Sequence, residues 1–396
     1  MDTITEPRLS FDDTSIGFSG KSNKELTKTY WIFAAMNNNA VVSIGTSLLK
    51  WALNWHLPVK PIIKYTVFEH FCGGESIEDS RKAVKELQKY HIGTILDYSV
   101  EGAQTESGFD ATTQEILRTI EEAKGKKELP FCVFKVTGIA STPLLEKVQA
   151  KKELTEAENL AFAKVEQRVD TICKAAYEAD VRILIDGEES WIQDPIDALA
   201  YEMMKRYNKQ KAIVFNTYQM YRHEMLANLR KGFQTAAMNE VWLGAKLVRG
   251  AYMEKERERA SEMGYTDPIQ PNKEATDRDY NEALKFCLDN KQRVALVSGS
   301  HNEYSNYLLA TLMEKHSLQP NYPNIWFAQL YGMSDNISYN LANAGYNVAK
   351  YVPYGPVAAV MPYLIRRAEE NTSIAGQSSR EFLLVKKEKQ RRRQAS

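Results

Sequence analysis

Near the C-terminus the chain sets Tyr363, Arg366, Arg367 and Glu370 at i, i+3, i+4 and i+7, the spacing that puts four side chains on one helical face. An ordinary core helix would carry an apolar stripe there. Two adjacent guanidiniums flanked by a phenol and a carboxylate suit the capture of a small anion, because Arg offers a planar fork that matches a carboxylate bidentately. A solvated, salt-bridged face fits the same spacing. The helix therefore has to be read with the elements that would position it.

Those elements follow a repeating grammar. Short apolar runs at 94–97, 131–135, 182–186, 212–216, 245–249, 293–298, 324–329 and 347–351 alternate with helix-patterned sequence. Runs dense in Val, Ile, Leu and Phe, bounded by polar residues and separated by helices, imply a parallel sheet buried on both faces. Eight such β-α units predict an α/β fold, a (β/α)8 barrel of the TIM type. An open doubly wound sheet is the alternative, and no glycine-rich nucleotide loop follows any run to support it.

Barrel chemistry gathers at the C-terminal ends of the strands. There the chain offers Asp97, Lys135, Asp186, Asn216, Arg249 with Tyr252, Ser298 with His301, Gln329 and Tyr351. Asp186, Asn216 and Arg249 in succession make a poor cage for a hard cation, so no metal is expected. Two readings of Lys135 stand side by side. It is either the Schiff-base nucleophile of a lyase, which needs a depressed pKa in a dry pocket, or a partner of Arg366 and Arg367 on a substrate carboxylate. The ring holds more hydrogen-bonding groups than a small substrate can occupy, which argues for a large organic cofactor. A barrel that only binds an amino acid is a third class.

The totals set the background. At 396 residues with 43% hydrophobic and 26% charged residues and a formal net charge of +0, the chain reads as an ordinary globular protein with no basic field for nucleic acid. Cys72, Cys132, Cys173 and Cys287 form no C-x-x-C pair and read as reduced buried thiols. Residues 1–24 read as a flexible leader, 25–91 as an N-terminal helical arm whose last helix starts at Ser76 with a capping box to Asp79, 92–380 as the barrel and 381–396 as a basic tail. The apolar stretch 41–57 is interrupted by Lys50, Asn54 and His56 and falls short of a membrane span. The Lys- and Arg-rich tail suits anionic lipid and a solvated terminus alike. The polar, acidic opening lacks an Arg- and Ser-rich presequence, which favours a bacterial cytoplasmic protein over one of the mitochondrial matrix.

Three motifs carry a resemblance. Tyr-x-x-Arg-Arg-x-x-Glu-Asn at 363–371, Lys-Leu-Val-Arg-Gly-Ala-Tyr at 246–252 and Leu-Tyr-Gly-Met at 330–333 resemble the proline dehydrogenase family, in the family's order. The resemblance implies a distorted barrel whose last helix covers the strand ends. It implies a flavoenzyme that moves a hydride from C5 of L-proline to FAD, giving Δ1-pyrroline-5-carboxylate. A membrane quinone would reoxidise the flavin, with peripheral contact at the inner membrane, and a separate pyrroline-5-carboxylate dehydrogenase would take the imine. By similarity Arg366, Arg367 and Lys135 hold the substrate carboxylate, and Tyr252, Leu330, Tyr351 and Tyr363 wall its ring with support from Asp186. Glu101 pairs with an active-site arginine to gate the site, and Glu370 orients the arginine pair. The positions matched to FAD are Gly187, Asn216, Lys246, Arg249, Gly250, Ala251, Lys273, Thr276, Ser300, His301 and Asn302. Asn216 stands where the family often has Gln, and Lys246 where it often has Arg. Tyr351 over the ring leaves little room for a 4-hydroxyl, so proline is favoured over hydroxyproline.

Overall fold

The computed structural model describes residues 9–37, 63–99, 104–373 and 377–395, with the backbone alone at 368–373 and 377–379. Eight parallel strands close a barrel in sequence order: β1 (Ile92–Tyr98), β2 (Phe131–Phe134), β3 (Arg182–Ile185), β4 (Val214–Gln219), β5 (Leu243–Val248), β6 (Val294–Gly299), β7 (Ile325–Leu330) and β8 (Val348–Tyr354). Each of the eight apolar runs forms a strand. Two of the observed ends matter for chemistry: β4 runs three residues past Asn216, and β8 runs to Tyr354.

The chain separates into two compact units, Gly102–Ala328 and Met1–Glu101 with Gln329–Ser396. Helices are numbered along the chain. The first unit's own are α5 (Glu106–Ala123), α6 (Thr142–Gln149), α7 (Glu156–Glu178), α8 (Ser190–Tyr207), α9 (Met225–Met238), α10 (Met253–Met263), α11 (Lys273–Asp289) and α12 (Glu303–Lys315). The second unit carries α1 (Thr14–Gly17), α2 (Asn23–Met36), a π-helical turn Lys64–Phe68 leading into α3 (Glu69–Phe71), α4 (Ile77–Gln88), α13 (Asp335–Asn343), α14 (Val357–Ser373) and α15 (Gln377–Gln394).

In the Gly102–Ala328 unit the strands are buried on both faces, as their continuous apolar runs require. Ile183, Leu184 and Ile185 are fully buried, and such side chains contribute roughly 1.5–3 kcal/mol each. Ile185 pairs with Asn216, and Asn216 with Ala245. Thr217 pairs with Lys246. Local signals set the helices: Thr155 and Glu158 form a reciprocal capping box on α7. At the N-terminal end of β4, Asn208 donates to Val214 O (2.8 Å) and Trp242 O (3.0 Å) and accepts from Ile213 N (2.9 Å) and Val214 N (2.8 Å). One buried amide thus satisfies four backbone groups.

In the other unit β1 and β8 pair from Ile92↔Val348 to Tyr98↔Tyr354. The apolar side of α14 (Val360, Leu364) shares a core with Phe33 of α2, Phe68, Phe71 and, from α15, Leu384 and Val385. Ser76 caps α4 by accepting from Asp79 N at 3.1 Å. The expected reciprocal bond is displaced, since Asp79 takes Glu75 N (3.2 Å) instead. The stretch read as a flexible leader is structured from residue 9: Asp13 caps α1, and Leu9, Phe11 and Phe18 are buried. Its apolar residues are too few and too irregular to show periodicity, so only packing reveals their role. The basic tail is a helix that spends much of its charge internally. Arg391 and Arg392 clasp the buried Glu388, Arg392 also donates to Phe18 O and Lys21 O, and Lys387 to Asp12 O. The interrupted apolar stretch 41–57 lies outside the described residues; among these no helix is long and apolar enough to cross a membrane.

Asn208→Ala strands four buried backbone groups at once and should lower the unfolding free energy by roughly 2–4 kcal/mol. Chemical denaturation checks this, and an unchanged midpoint would contradict the four-bond account.

Candidate active site

Strand alternation decides what each side chain at the ends of β3, β4 and β5 can reach. Asn216 Nδ2 donates to Asp197 Oδ1 of α8 at 2.9 Å, and the Tyr218 hydroxyl meets that of Tyr201, also on α8, at 2.9 Å. Positions 216 and 218 therefore face the helix layer. Thr217 and Gln219 face the opposite way. On that face Lys246, the neighbour of Thr217, meets Asp186 at 2.5 Å with side chains only 7% and 14% exposed. Asn216, a candidate cofactor contact, gives its Nδ2 to the buried Asp197, whose carboxyl desolvation raises to about 6, and keeps its Oδ1 buried without a hydrogen-bond partner.

Gln219 is another polar residue on this strand. It lies at the true end of β4 on the Lys246 face and donates to Glu188 O at 2.6 Å. Gly187 lies against it: a Cβ there would sit 3.0 Å from the Gln219 side chain. The run read from the sequence stops at Asn216, whereas β4 continues to Gln219, so the polar residue that closes the strand on the Lys246 face is Gln219.

Glu188 ties two strand ends together. Its carboxylate accepts from Thr137 N (3.0 Å) and from the Thr137 hydroxyl, and its own N–H donates to Gln193 Oε1 at 2.7 Å. Thr137 belongs to the 3-10 turn Val136–Gly138 whose N-cap is Lys135. Lys135, the candidate cation of β2, is thus fixed through its own turn. Burial raises the Glu188 carboxyl to about 7, against the pull of its bonds to Thr137 and of the nearby Lys135 charge.

Beyond β5, Arg249 is a hub. Its guanidinium donates to Asp277 Oδ1 of α11 (2.8 Å), Ser300 Oγ (2.9 Å) and Ser305 Oγ of α12 (2.9 Å), and it stacks 4.4 Å from the centre of the Tyr280 ring. Lys273 pairs with the same Asp277, and Thr276 lies in the same first turn of α11. Gly250 has φ +132°, and a Cβ there would meet the Tyr221 ring at 2.5 Å, so only glycine passes. Asn302 is the N-cap of α12, accepting from Ser305 N at 2.9 Å; Ser300 and His301 precede it. Tyr252 is the N-cap residue of α10. One turn on, the buried Glu256 accepts from Ser190 N (2.6 Å) and Ser190 Oγ (2.5 Å), pinning α10 to the start of α8. Nothing in the sequence marked Glu188 or Glu256, since buried acids in helix-patterned segments look like solvated ones.

In the second unit Tyr331 N donates to Tyr351 O at 2.8 Å, which ties the end of β7 to β8. The Arg367 guanidinium lies 5.2 Å from the centre of the Tyr363 ring, with Tyr363 and Arg367 buried and Arg366 half-buried. Tyr363 and Arg367 of the stripe are therefore withdrawn from solvent. Glu101 lies outside the described residues, as does the side chain of Glu370.

A profile of the family described as proline dehydrogenase matches residues 80–380. This chain belongs to the proline dehydrogenase family. It is 33% identical over 426 residues to "Proline dehydrogenase 1, mitochondrial" of Dictyostelium discoideum, covering 96% of this chain and 74% of that one. It is 30% identical over 431 residues to a hydroxyproline dehydrogenase of Xenopus laevis, covering 97% and 90%. Its fold matches proline utilization A from Bdellovibrio bacteriovorus, solved after inactivation by N-propargylglycine, with a TM-score of 0.72 at 18% identity. That match covers 96% of this chain and 41% of the other, so the chain spans about two fifths of that protein's length.

Glu188 gives this family member a pH signature. With its carboxyl raised from 4.5 to about 7 in the fold, the native protein keeps a proton that the unfolded chain releases in between, so its contribution to stability falls as pH rises through that window. Glu188→Gln removes the titration. Denaturation midpoints at pH 5 and pH 8 should show the variant gaining on the wild type as pH rises; a constant difference would rule the signature out.

Proposed function

We propose that this chain is an FAD-dependent proline dehydrogenase that oxidises L-proline to Δ1-pyrroline-5-carboxylate. What carries the reading is family membership together with the donor set at the ends of β3 to β6. Lys246, held by Asp186, and Arg249, held by Asp277, supply positioned charged N–H donors, Gln219 and Ser300 neutral hydrogen-bonding groups, and Gly250 a backbone left bare by its φ of +132°. Such a set fits a flavin dinucleotide, whose diphosphate wants cations and whose ring wants donors and acceptors along an edge. A hard divalent cation would want several free carboxylates, and Asp186 is already neutralised by Lys246. The residues that would hold FAD are Gly187, Lys246, Arg249, Gly250, Ala251, Ser300, His301 and Asn302, with Lys273 and Thr276, and with Asn216 and Gln219. Held by these residues, the flavin would supply the two-electron chemistry that takes a hydride from proline C5, with a quinone as the final acceptor.

The protein's own part is binding, orientation and exclusion of water. By family resemblance Arg366, Arg367 and Lys135 take the substrate carboxylate, while Tyr252, Leu330, Tyr351 and Tyr363 enclose its ring. Glu101 and Glu370 orient the arginines, and Asp186 steadies the Tyr252 side of the wall. Three cations on one carboxylate fix the ring's orientation and select for an α-carboxylate. The imine is then the substrate of a pyrroline-5-carboxylate dehydrogenase. The quinone places the enzyme at a membrane surface, on the cytoplasmic face in a bacterium or in the mitochondrial matrix in a eukaryote.

Purified protein should be yellow, with a flavin band near ~450 nm that L-proline bleaches. Arg366→Met or Arg367→Met should raise KM for proline more than tenfold, a loss of over ~1.4 kcal/mol. Unchanged proline kinetics in both variants would remove the helix from the site. A colourless protein that cannot be reconstituted with FAD and is trapped by borohydride at Lys135 would point instead to a Schiff-base lyase.

Substrate preference turns on Tyr351, a buried phenol. It should exclude a 4-hydroxyl, so kcat/KM for L-proline is expected to exceed that for trans-4-hydroxy-L-proline by at least tenfold. Comparable values for the two would align the chain with hydroxyproline dehydrogenases.

A further inference from the structure

Next to Tyr351 on β8 stands Lys350, 0% exposed, a buried cation that proline chemistry does not use. All three of its donors are engaged: Asp335 Oδ1 at 2.9 Å, Leu330 O at 3.3 Å, and Met333 O. Two of these acceptors are backbone carbonyls of the turn that carries Leu330. The other oxygen of Asp335 pairs with Lys21 Nζ at 3.0 Å. From α15, the buried Glu381 accepts from Ser334 N (2.8 Å) and Ser334 Oγ (3.3 Å).

The turn held this way is in a conformation that it would not choose alone. Gly332 has φ +76° and Ser334 φ +50°, both left-handed, and a Cβ at 332 would meet His70 O at 2.3 Å. A non-glycine residue persists in that region only where its surroundings over-determine it. Here they are a buried ammonium, a carboxylate shared by two lysines, and a second carboxylate on the Ser334 amide. The turn also sets Tyr351, through the Tyr331 N–H on the Tyr351 carbonyl.

We propose that Lys350 is a positioning residue of the substrate site: it fixes the Leu330–Met333 turn, and with it Leu330 and Tyr351, while Lys21 and Glu381 bring the N- and C-terminal segments to the same turn. This rests on the reading above, in which Leu330 and Tyr351 wall the proline ring. A loosened turn leaves the flavin and the carboxylate-binding cations in place. What it loses is the fit around the ring, and so ground-state binding more than the chemical step.

The test compares flavin-loaded wild type, Lys350→Met, Lys350→Met/Asp335→Asn and Lys21→Met, with Asn208→Ala as the control for plain destabilisation. Proline KM and kcat, flavin content from the visible spectrum, and calorimetric affinity for tetrahydrofuran-2-carboxylate, a proline analogue without the ring nitrogen, are measured for each. Lys350→Met should raise KM at least fivefold and weaken the analogue similarly, with kcat within twofold and flavin content unchanged. Lys21→Met should move KM the same way by at least twofold. Asn208→Ala should lower the unfolding midpoint and leave KM alone. If Lys350→Met does not fold, Lys21→Met and Glu381→Gln, which leave Lys350 in place, must show the twofold shift, and its absence overturns the proposal. KM and analogue affinity at wild-type values in the folded variants, or moved equally in Asn208→Ala, overturn it too. A wild type that neither oxidises proline nor binds the analogue overturns the functional reading and this inference with it; an active wild type matched by all its variants overturns the inference alone.

Discussion

Lys246 and Asp186 meet at 2.5 Å where neither side chain is more than 14% exposed, and the condition they satisfy recurs through the molecule. A charge taken out of water must be given an opposite charge or a full set of dipoles, or it changes its protonation state. Arg249 meets the condition with Asp277, Ser300 and Ser305. Glu256 accepts two hydrogen bonds from Ser190, and desolvation outweighs them and raises its carboxyl. Glu188 accepts two hydrogen bonds from Thr137, and burial still raises its carboxyl to about 7. Cations useful to an anionic cofactor or substrate are therefore available only where the fold has already supplied their partners. The partners also immobilise them: each of these side chains joins segments distant in sequence.

The same condition accounts for the unit that contains α14. Lys350 is deeper than any of the candidate catalytic cations, and what surrounds it is a turn with two left-handed residues. Removing one partner of such a cluster leaves an uncompensated charge, which costs more than the pair contributes. The terminal segments that join it, Lys21 before α2 and Glu381 on α15, look like dispensable ends by composition. Arg392, reaching back to Phe18 O and Lys21 O, binds those two ends to each other.

Legibility in the sequence followed from how local each signal was. All eight strands could be read because a buried parallel strand is a continuous apolar run. Their ends were less clear, since polar residues close a strand and also occur within it. At β4 this mattered: Asn216 was taken as the end, whereas Thr217 to Gln219 continue the strand, and the polar residue that closes it on the Lys246 face is Gln219. The Arg366–Arg367 stripe could be read because helical spacing is fixed. That Arg367 is buried against Tyr363 could not, because burial depends on segments far away.

By itself, then, the sequence determined the β-α repeat, the placement of Lys135, Asp186 and Arg249 just beyond strand ends, and the one-sided chemistry of the last long helix, all consequences of periods of two and 3.6. The three motifs added the family. Only the tertiary structure decided which residues of β4 share a face with Lys246 and Asp186, which acids are buried (Glu188, Glu256, Glu381), and that Lys350 is buried and not a surface lysine. The reason is physical. Periodicity is a property of neighbours along the chain, but desolvation and ion pairing are set by groups that meet only after folding, such as Lys21 and Asp335, more than three hundred residues apart.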